Sequence, residues 1–173
     1  MKFKKFFYKK VNSTNDLAIR KIKKGFNKGI IICEFQKKGR GQLGKKWKSF
    51  KGNLLISIFF EIKKNLSVKK MTSINCKIIK KSLSNYIVKK INIKNPNDLQ
   101  INNKKFCGIL QEIIFRKNDK FIIVGIGINL LKHPFIQTYP TTNIFKETGI
   151  KLEKTKLIKS IEANYINKLK LFA

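Results

Sequence analysis

Apolar residues recur along this chain in two periods. Short apolar runs, Ile30 to Phe35 and Leu54 to Ile62, predict buried strands, and a long strand is expected from Gly108 to Phe115, with a turn leading on into FIIVGIGINL from Phe121. Phe3 to Tyr8 predicts a shorter first strand. Helical spacing appears in DLAIRKIKK, which Asn12-Ser13-Thr14-Asn15 can cap and Gly25 can end. It returns in a long helix from Val68 to Lys90, capped by Ser67, with Met71, Ile74, Ile78, Ile79, Leu83, Tyr86 and Ile87 on one face. That stripe reads as core. A short helix is expected near Asn143 to Thr148, and a final amphipathic one from about Glu153, burying Leu157, Ile158, Ile161, Tyr165 and Leu169. Between the helices, Ile91 to Lys94 is a short strand that turns at Asn95-Pro96-Asn97-Asp98, because a residue before proline is held extended. Asn102-Asn103 and Lys117-Asn118-Asp119 are the next turns, the first sending Lys104-Lys105-Phe106 into the long strand from Gly108. No repeat or linker divides residues 1–173, so a single domain is expected.

The stretch Gln36 to Ser49, QKKGRGQLGKKWKS, changes this picture from fold to function. Three glycines stand among five basic residues (Lys37, Lys38, Arg40, Lys45 and Lys46) between two core strands, followed by Trp47, the only tryptophan. Missing side chains let a ligand approach the backbone, and the basic residues suit phosphate or carboxylate. Gly39 to Lys45 fits most of a phosphate-binding P-loop, but Lys46 stands where Ser or Thr would hold magnesium. No helix follows to offer its N-terminus, so that reading fails.

The formal charge of +31 would ordinarily point to nucleic acid. Only Arg20, Arg40 and Arg116 are arginines, however, and the lysines are scattered in pairs while Asn, Ile and Phe are inflated with them. The pattern reads as a coding bias toward AT-rich codons more than a binding stripe. Cys33, Cys76 and Cys107 are odd in number and lack C-x-x-C spacing, so neither a disulfide framework nor a zinc site is indicated. A reducing cytoplasm is the expected location, with no signal peptide and no segment approaching a membrane span. With His133 as the single histidine, histidine-based nucleophile schemes are weakened, and chemistry must rest on lysine, arginine, amides and a few carboxylates.

Four stretches lie at strand ends or turns: NSTN (12–15), QKKGRGQLGKKW (36–47), KNPNDLQINNKKFCGIL (94–110) and GIGIN (125–129). Singly, each has a plain structural reading as a cap, a basic loop, a turn or a strand. In this order and spacing they resemble the catalytic domain of biotin protein ligase, whose patterns are a Ser-Thr-Asn turn, GRGRxGRxW, KWPND with K-x-x-G-I-L, and G-x-G-x-N. The resemblance runs from about Phe3 to the final helix. It implies an α+β fold, a mixed β-sheet flanked by helices, related to lipoate ligases and class II synthetases. It also implies ATP-dependent biotinylation of a carrier-protein lysine through biotinyl-AMP, with ATP and Mg2+ required. The implied partner is the biotin carboxyl carrier protein of acetyl-CoA carboxylase, with no specific DNA or membrane binding and with homodimerisation through a sheet edge left open.

By resemblance, Ser13, Thr14 and Asn15 belong to the turn that binds the biotin ureido end, and Gln36 is a biotin-site glutamine. Gly39, Arg40, Gly41 and Gln42 form the ligand-closing loop, in which the Gly39 and Gly41 amides would surround the mixed anhydride. Lys105 is the lysine expected to reach both carboxyl and phosphate, and it is the first candidate for a catalytic residue together with Arg40. Gly108 and Gly127 would keep the floor shallow. Lys45, Trp47, Asn97, Asp98 and Asn129 are expected on the nucleotide side, with Trp47 walling the adenine. Nucleotidyl transfer crowds negative charge at phosphorus, so fixed positive charge is what the reaction needs.

The chain departs from the family pattern at Asn95, where a tryptophan is usual, and at Gln42 and Lys45, where arginines are usual. Weaker loop closure and leakage of biotinyl-AMP are expected from these changes, to be read as labelling of non-cognate proteins. Neither a helix-turn-helix before the catalytic domain nor an SH3-like domain after it is expected. The alternatives are a lipoate or octanoate ligase or transferase of the same superfamily with Cys107 as thioester nucleophile, a non-catalytic basic nucleic-acid module, and an inactive remnant of the ligase. For Cys107 a buried core position is the favoured reading.

Overall fold

The computed structural model describes residues 2–63 and 67–168. Seven strands, β1 (Lys4–Val11), β2 (Lys28–Gln36), β3 (Leu54–Ile62), β4 (Asn92–Lys94), β5 (Asp98–Ile101), β6 (Lys104–Arg116) and β7 (Asp119–Ile128), form one sheet in the order β1-β2-β3-β7-β6-β5-β4. β1 and β2 run parallel and the other neighbours antiparallel, which makes the mixed sheet expected from the motifs. The helices are α1 (Thr14–Lys23), α2 (Val68–Ser84), α3 (Ile144–Thr148) and α4 (Lys154–Lys168). No described helix is long and apolar enough to cross a membrane.

Successive strand residues point to opposite faces, so the apolar runs feed two cores at once. Ile56, Ile58, Val124 and Ile126 join Ile79, Leu157 and Ile161 in the larger core beneath α2 and α4. Phe59, Phe121 and Ile123 face the other way, onto Ala18 and Ile22 of α1. Burial on both faces explains why β3 and β7 carry almost no polar residue. Within the sheet, the small residues Ser57, Gly125 and Gly127 interrupt the apolar run on the α1 face, where the first turn of α1 meets Ser57 and Gly125. They mark the site.

Several boundaries differ from the periodicity. α2 stops at Ser84 rather than Lys90: Tyr86 N and Ile87 N both donate to Leu83 O, at 2.9 and 3.1 Å. Ser84-Asn85 followed by the β-branched Ile87 and Val88 favours leaving the helix, although Ile87 stays buried. Ser67 occupies the N-cap position without a side-chain cap bond. β5 was missed because four residues between two turns give too short a pattern to read. Leu169, expected in the last helix, lies outside the described residues.

A polar chain crosses the larger core. Tyr165 is fully buried and its hydroxyl donates to Asn75 Oδ1 at 3.0 Å, while Asn75 Nδ2 donates to Gln111 Oε1 at 2.7 Å. Burial pushes the Tyr165 phenol well above its ordinary pKa, so it remains a donor. Tyr165→Phe leaves Asn75 Oδ1 buried without that partner, and urea denaturation should show a loss of about 1–3 kcal/mol.

Candidate active site

The register of three strands builds the floor. Ser57 pairs with Gly125 and Leu55 with Gly127 across β3 and β7, while Leu110 pairs with Gly125 and Gly108 with Gly127 across β6 and β7. This gives two adjacent rungs with glycine at the centre. Asn15 lies on the first rung, where a Cβ on Gly125 would overlap its amide. Trp47 lies on the second: a Cβ on Gly108 would stand 2.8 Å from its ring and one on Gly127 closer still. Two motifs far apart in sequence therefore rest on glycines supplied by two others.

The 13–15 turn is fixed by hydrogen bonds. Ser13 Oγ caps α1 by accepting from Asp16 N at 3.4 Å. Gln36 Oε1 accepts from Thr14 N at 2.8 Å and from Thr14 Oγ1 at 3.0 Å. Ser57 Oγ shares its proton between Thr14 Oγ1 at 2.7 Å and Asn15 Oδ1 at 2.5 Å. Asn15 Nδ2 in turn donates to Glu112 Oε2 at 2.6 Å. Since Thr14 holds the carbonyl end of the Gln36 amide, the NH2 is the end available to a ligand.

The glycine loop is a miniature hairpin. Trp47 N donates to Gly39 O at 2.9 Å, Gly41 N to Lys45 O at 2.6 Å, and Arg40 bridges Lys46. A short 3-10 turn, Gln42–Gly44, forms the tip, where Leu43 has φ 54° and is almost fully exposed. Over the floor lies a cavity of about 510 Å³. Its lining is basic, with Arg40, Lys45, Lys46, Lys94 and Lys105 against the single carboxylate of Asp98. Such a mouth attracts a polyanion.

Lys105 stands near the start of β6. Its backbone is stitched to the incoming chain, with Lys105 N donating to Pro140 O and Thr142 N to Lys105 O, both at 2.9 Å. Its ammonium pairs with Asp98 Oδ1 at 2.9 Å and lies 5.8 Å from the Trp47 ring and 5.4 Å from the Tyr139 ring. Asn97 fixes the turn beside it by donating from Nδ2 to Ile109 O at 2.7 Å and accepting Ile109 N at 2.9 Å.

Ser13, Thr14, Asn15, Gln36, Arg40, Gly41, Gln42, Lys45, Trp47, Asn97, Asp98, Lys105, Gly108 and Gly127 thus line one cavity. Some expected roles need correction. Asn129 does not line it: its Oδ1 accepts from Asn53 Nδ2 at 3.2 Å and its Nδ2 donates to Thr142 O at 3.2 Å, so it pins the returning chain behind the site. Gly39 is buried outside the cavity, and its missing side chain makes room for the Trp47 carbonyl. The Gly41 amide is already bonded to Lys45 O and is not free to close around an anhydride. The Arg40 guanidinium meets Glu112 and Asp16, and the Glu112 hydrogen bonds raise its pKa further. Trp47 covers Gly108 and Gly127, the glycine floor itself.

Ser57, Glu112 and Tyr139 were not singled out from the sequence, and Gly125 was marked only as part of the GIGIN motif without a role. A serine at an interior position of an otherwise apolar strand was the available signal for Ser57. Cys107 is fully buried in the larger core, and burial pushes its thiol well above the ordinary value. A thioester nucleophile needs an accessible thiolate, and this position offers neither access nor ionisation.

Residues 7–129 match the biotin/lipoate A/B protein ligase family, and the chain belongs to that family. Among curated relatives, it is 28% identical to the bifunctional ligase/repressor BirA of Escherichia coli (strain K12) over 152 residues, 85% of this chain and 47% of that protein. It therefore spans about half the length of that relative. Its structure resembles the biotin protein ligase from Aquifex aeolicus in complex with biotin and ATP, with a TM-score of 0.80, 25% identity, and coverage of 96% of this chain and 70% of that one. The fold also matches the biotin protein ligase from Leishmania major in complex with biotin, with a TM-score of 0.80, 24% identity, and coverage of 94% and 73%.

Proposed function

We propose that the chain activates biotin with ATP as biotinyl-AMP and passes the biotinyl group to a lysine of a biotin carboxyl carrier protein. The observation that carries this reading is the convergence of four separate motifs on one basic cavity, with Lys105 among its lining residues. The matched relatives support biotin over other acids.

The ureido end needs donors and acceptors at close range. The Ser13 hydroxyl and the Gln36 NH2 supply donors, and Thr14 Oγ1 supplies a lone pair. The tetrahydrothiophene ring and valeryl chain would lie along the shallow floor beside Trp47. Lys105 then stands where a carboxylate oxygen attacks the α-phosphorus and pyrophosphate leaves, offsetting charge that builds on the non-bridging oxygens. In the second step the carrier's lysine amine attacks the carbonyl and AMP departs with the bridging oxygen. No protein nucleophile is needed in either step.

Among the described residues there is no cluster of three or more His, Cys, Asp or Glu fit to hold a metal. Mg2+ is commonly held by substrate phosphates with one or two protein oxygens, and Asp98 and Asn97 would be those here. Bound so, it would neutralise phosphate charge.

Incubation with ATP, biotin and an isolated carrier domain should add one biotin to one lysine, read by intact mass. Lipoate in place of biotin should add nothing; lipoylation instead would overturn the choice of acid. Cys107→Ala should leave biotinylation within about twofold of wild type, as a small buried-core substitution does. Loss of transfer with activation intact would revive the thioester route.

A further inference from the structure

The glycine loop and the 13–15 turn are joined by one carboxylate that belongs to neither. Glu112 lies on β6, two residues beyond Leu110 on the face that carries Gly108, paired in register with Ile123. Its Oε1 and Oε2 accept from Arg40 Nη1 and Nη2, both at 2.9 Å, and Oε2 also accepts from Asn15 Nδ2 at 2.6 Å. Asp16 Oδ1 completes the clasp on Arg40 Nη2 at 2.7 Å. Two parallel bonds between a guanidinium and a carboxylate fix orientation as well as distance. Arg40 lies at the base of the loop hairpin, between Gly39 and Gly41 and bridged to Lys46. Asn15 is anchored to Ser57 over Gly125. One side chain therefore ties the loop to the turn.

We propose that Glu112 is a positioning residue that couples closure of the glycine loop to ordering of the acid-binding turn, and so sets how long the acyl-adenylate is retained. Glu112 is not among the residues lining the cavity and acts through Arg40 and Asn15. The retention role rests on reading the cavity as an acyl-activation site; the clasp itself does not.

Hydrogen–deuterium exchange on the ligand-free protein tests the clasp. Glu112→Gln and Arg40→Gln should each speed exchange at residues 13–16 and 39–47 by about tenfold, as expected for loss of a charge-assisted bidentate pair. The double variant should add little, because the two groups act as a unit. Asp16→Asn should give a smaller change in the same direction, and exchange in β3 and β7 should not move. Unchanged loop exchange in Glu112→Gln, or full additivity in the double variant, overturns the clasp. The second readout is release of biotinyl-AMP from the loaded protein. It should be about tenfold faster in Glu112→Gln at an unchanged unfolding midpoint. An unchanged release rate overturns the retention role. A wild-type protein that binds no biotin would sink the functional reading instead, while exchange still decides the clasp.

Discussion

Lys105→Ala should reduce biotin-dependent ATP–pyrophosphate exchange by about 10²- to 10³-fold, the usual cost of removing one preorganised group that stabilises transition-state charge. The geometry makes this the largest single effect expected. The ammonium is held by Asp98 at 2.9 Å and flanked by the Trp47 and Tyr139 rings, so it is oriented before any substrate arrives. The fold depends on the backbone of Lys105, which bonds to Pro140 and Thr142, and substitution of the side chain leaves those bonds in place. Removing the ammonium does leave the partly buried Asp98 unpaired. Lys105→Ala with Asp98→Asn controls for that, and its exchange should stay as low as that of the single variant. Lys105→Arg should recover little, since a planar fork does not reproduce a compact ammonium. Exchange in Lys105→Ala within tenfold of wild type would remove Lys105 from the chemistry.

Gly127→Ala should weaken biotin binding by roughly ten- to a hundred-fold, equivalent to the 1–3 kcal/mol that overpacking commonly costs. The added methyl would overlap the Trp47 indole directly. The contact is with the ring body, not a flexible end, so the indole must shift and the shallow floor is lost. Because Trp47 is the only tryptophan, its fluorescence reports this site alone. Titration with biotin should change the emission of wild type and require far more ligand in Gly127→Ala. Equal affinity in the two proteins would show that biotin does not lie on this rung.

Sheet and helices were legible where the pattern was long. The apolar runs gave β3, β6 and β7, and helical spacing after the caps at 12–15 gave α1 to within two residues. The end of α2 was not legible, since the apolar stripe continues through Ile87 while hydrogen bonding to Leu83 has already left the helix. In the site, the motifs marked which stretches meet but not what each side chain does there. Asn129 carries the family pattern yet serves Asn53 and Thr142, because a buried amide next to a turn is taken up by the nearest backbone. Glu112 and Ser57 escaped notice for the opposite reason. A glutamate and a serine within apolar strands acquire meaning only once strand register sets them beside Asn15 and Arg40, and register is a long-range property.

The most direct measurement is ATP–pyrophosphate exchange by the purified protein with biotin, lipoate or octanoate as the only added acid. The cavity's basic lining, its glycine floor and the Gln36–Thr14 pair predict exchange with biotin alone. Exchange with lipoate or octanoate but not biotin, or with no acid at all, would contradict the account.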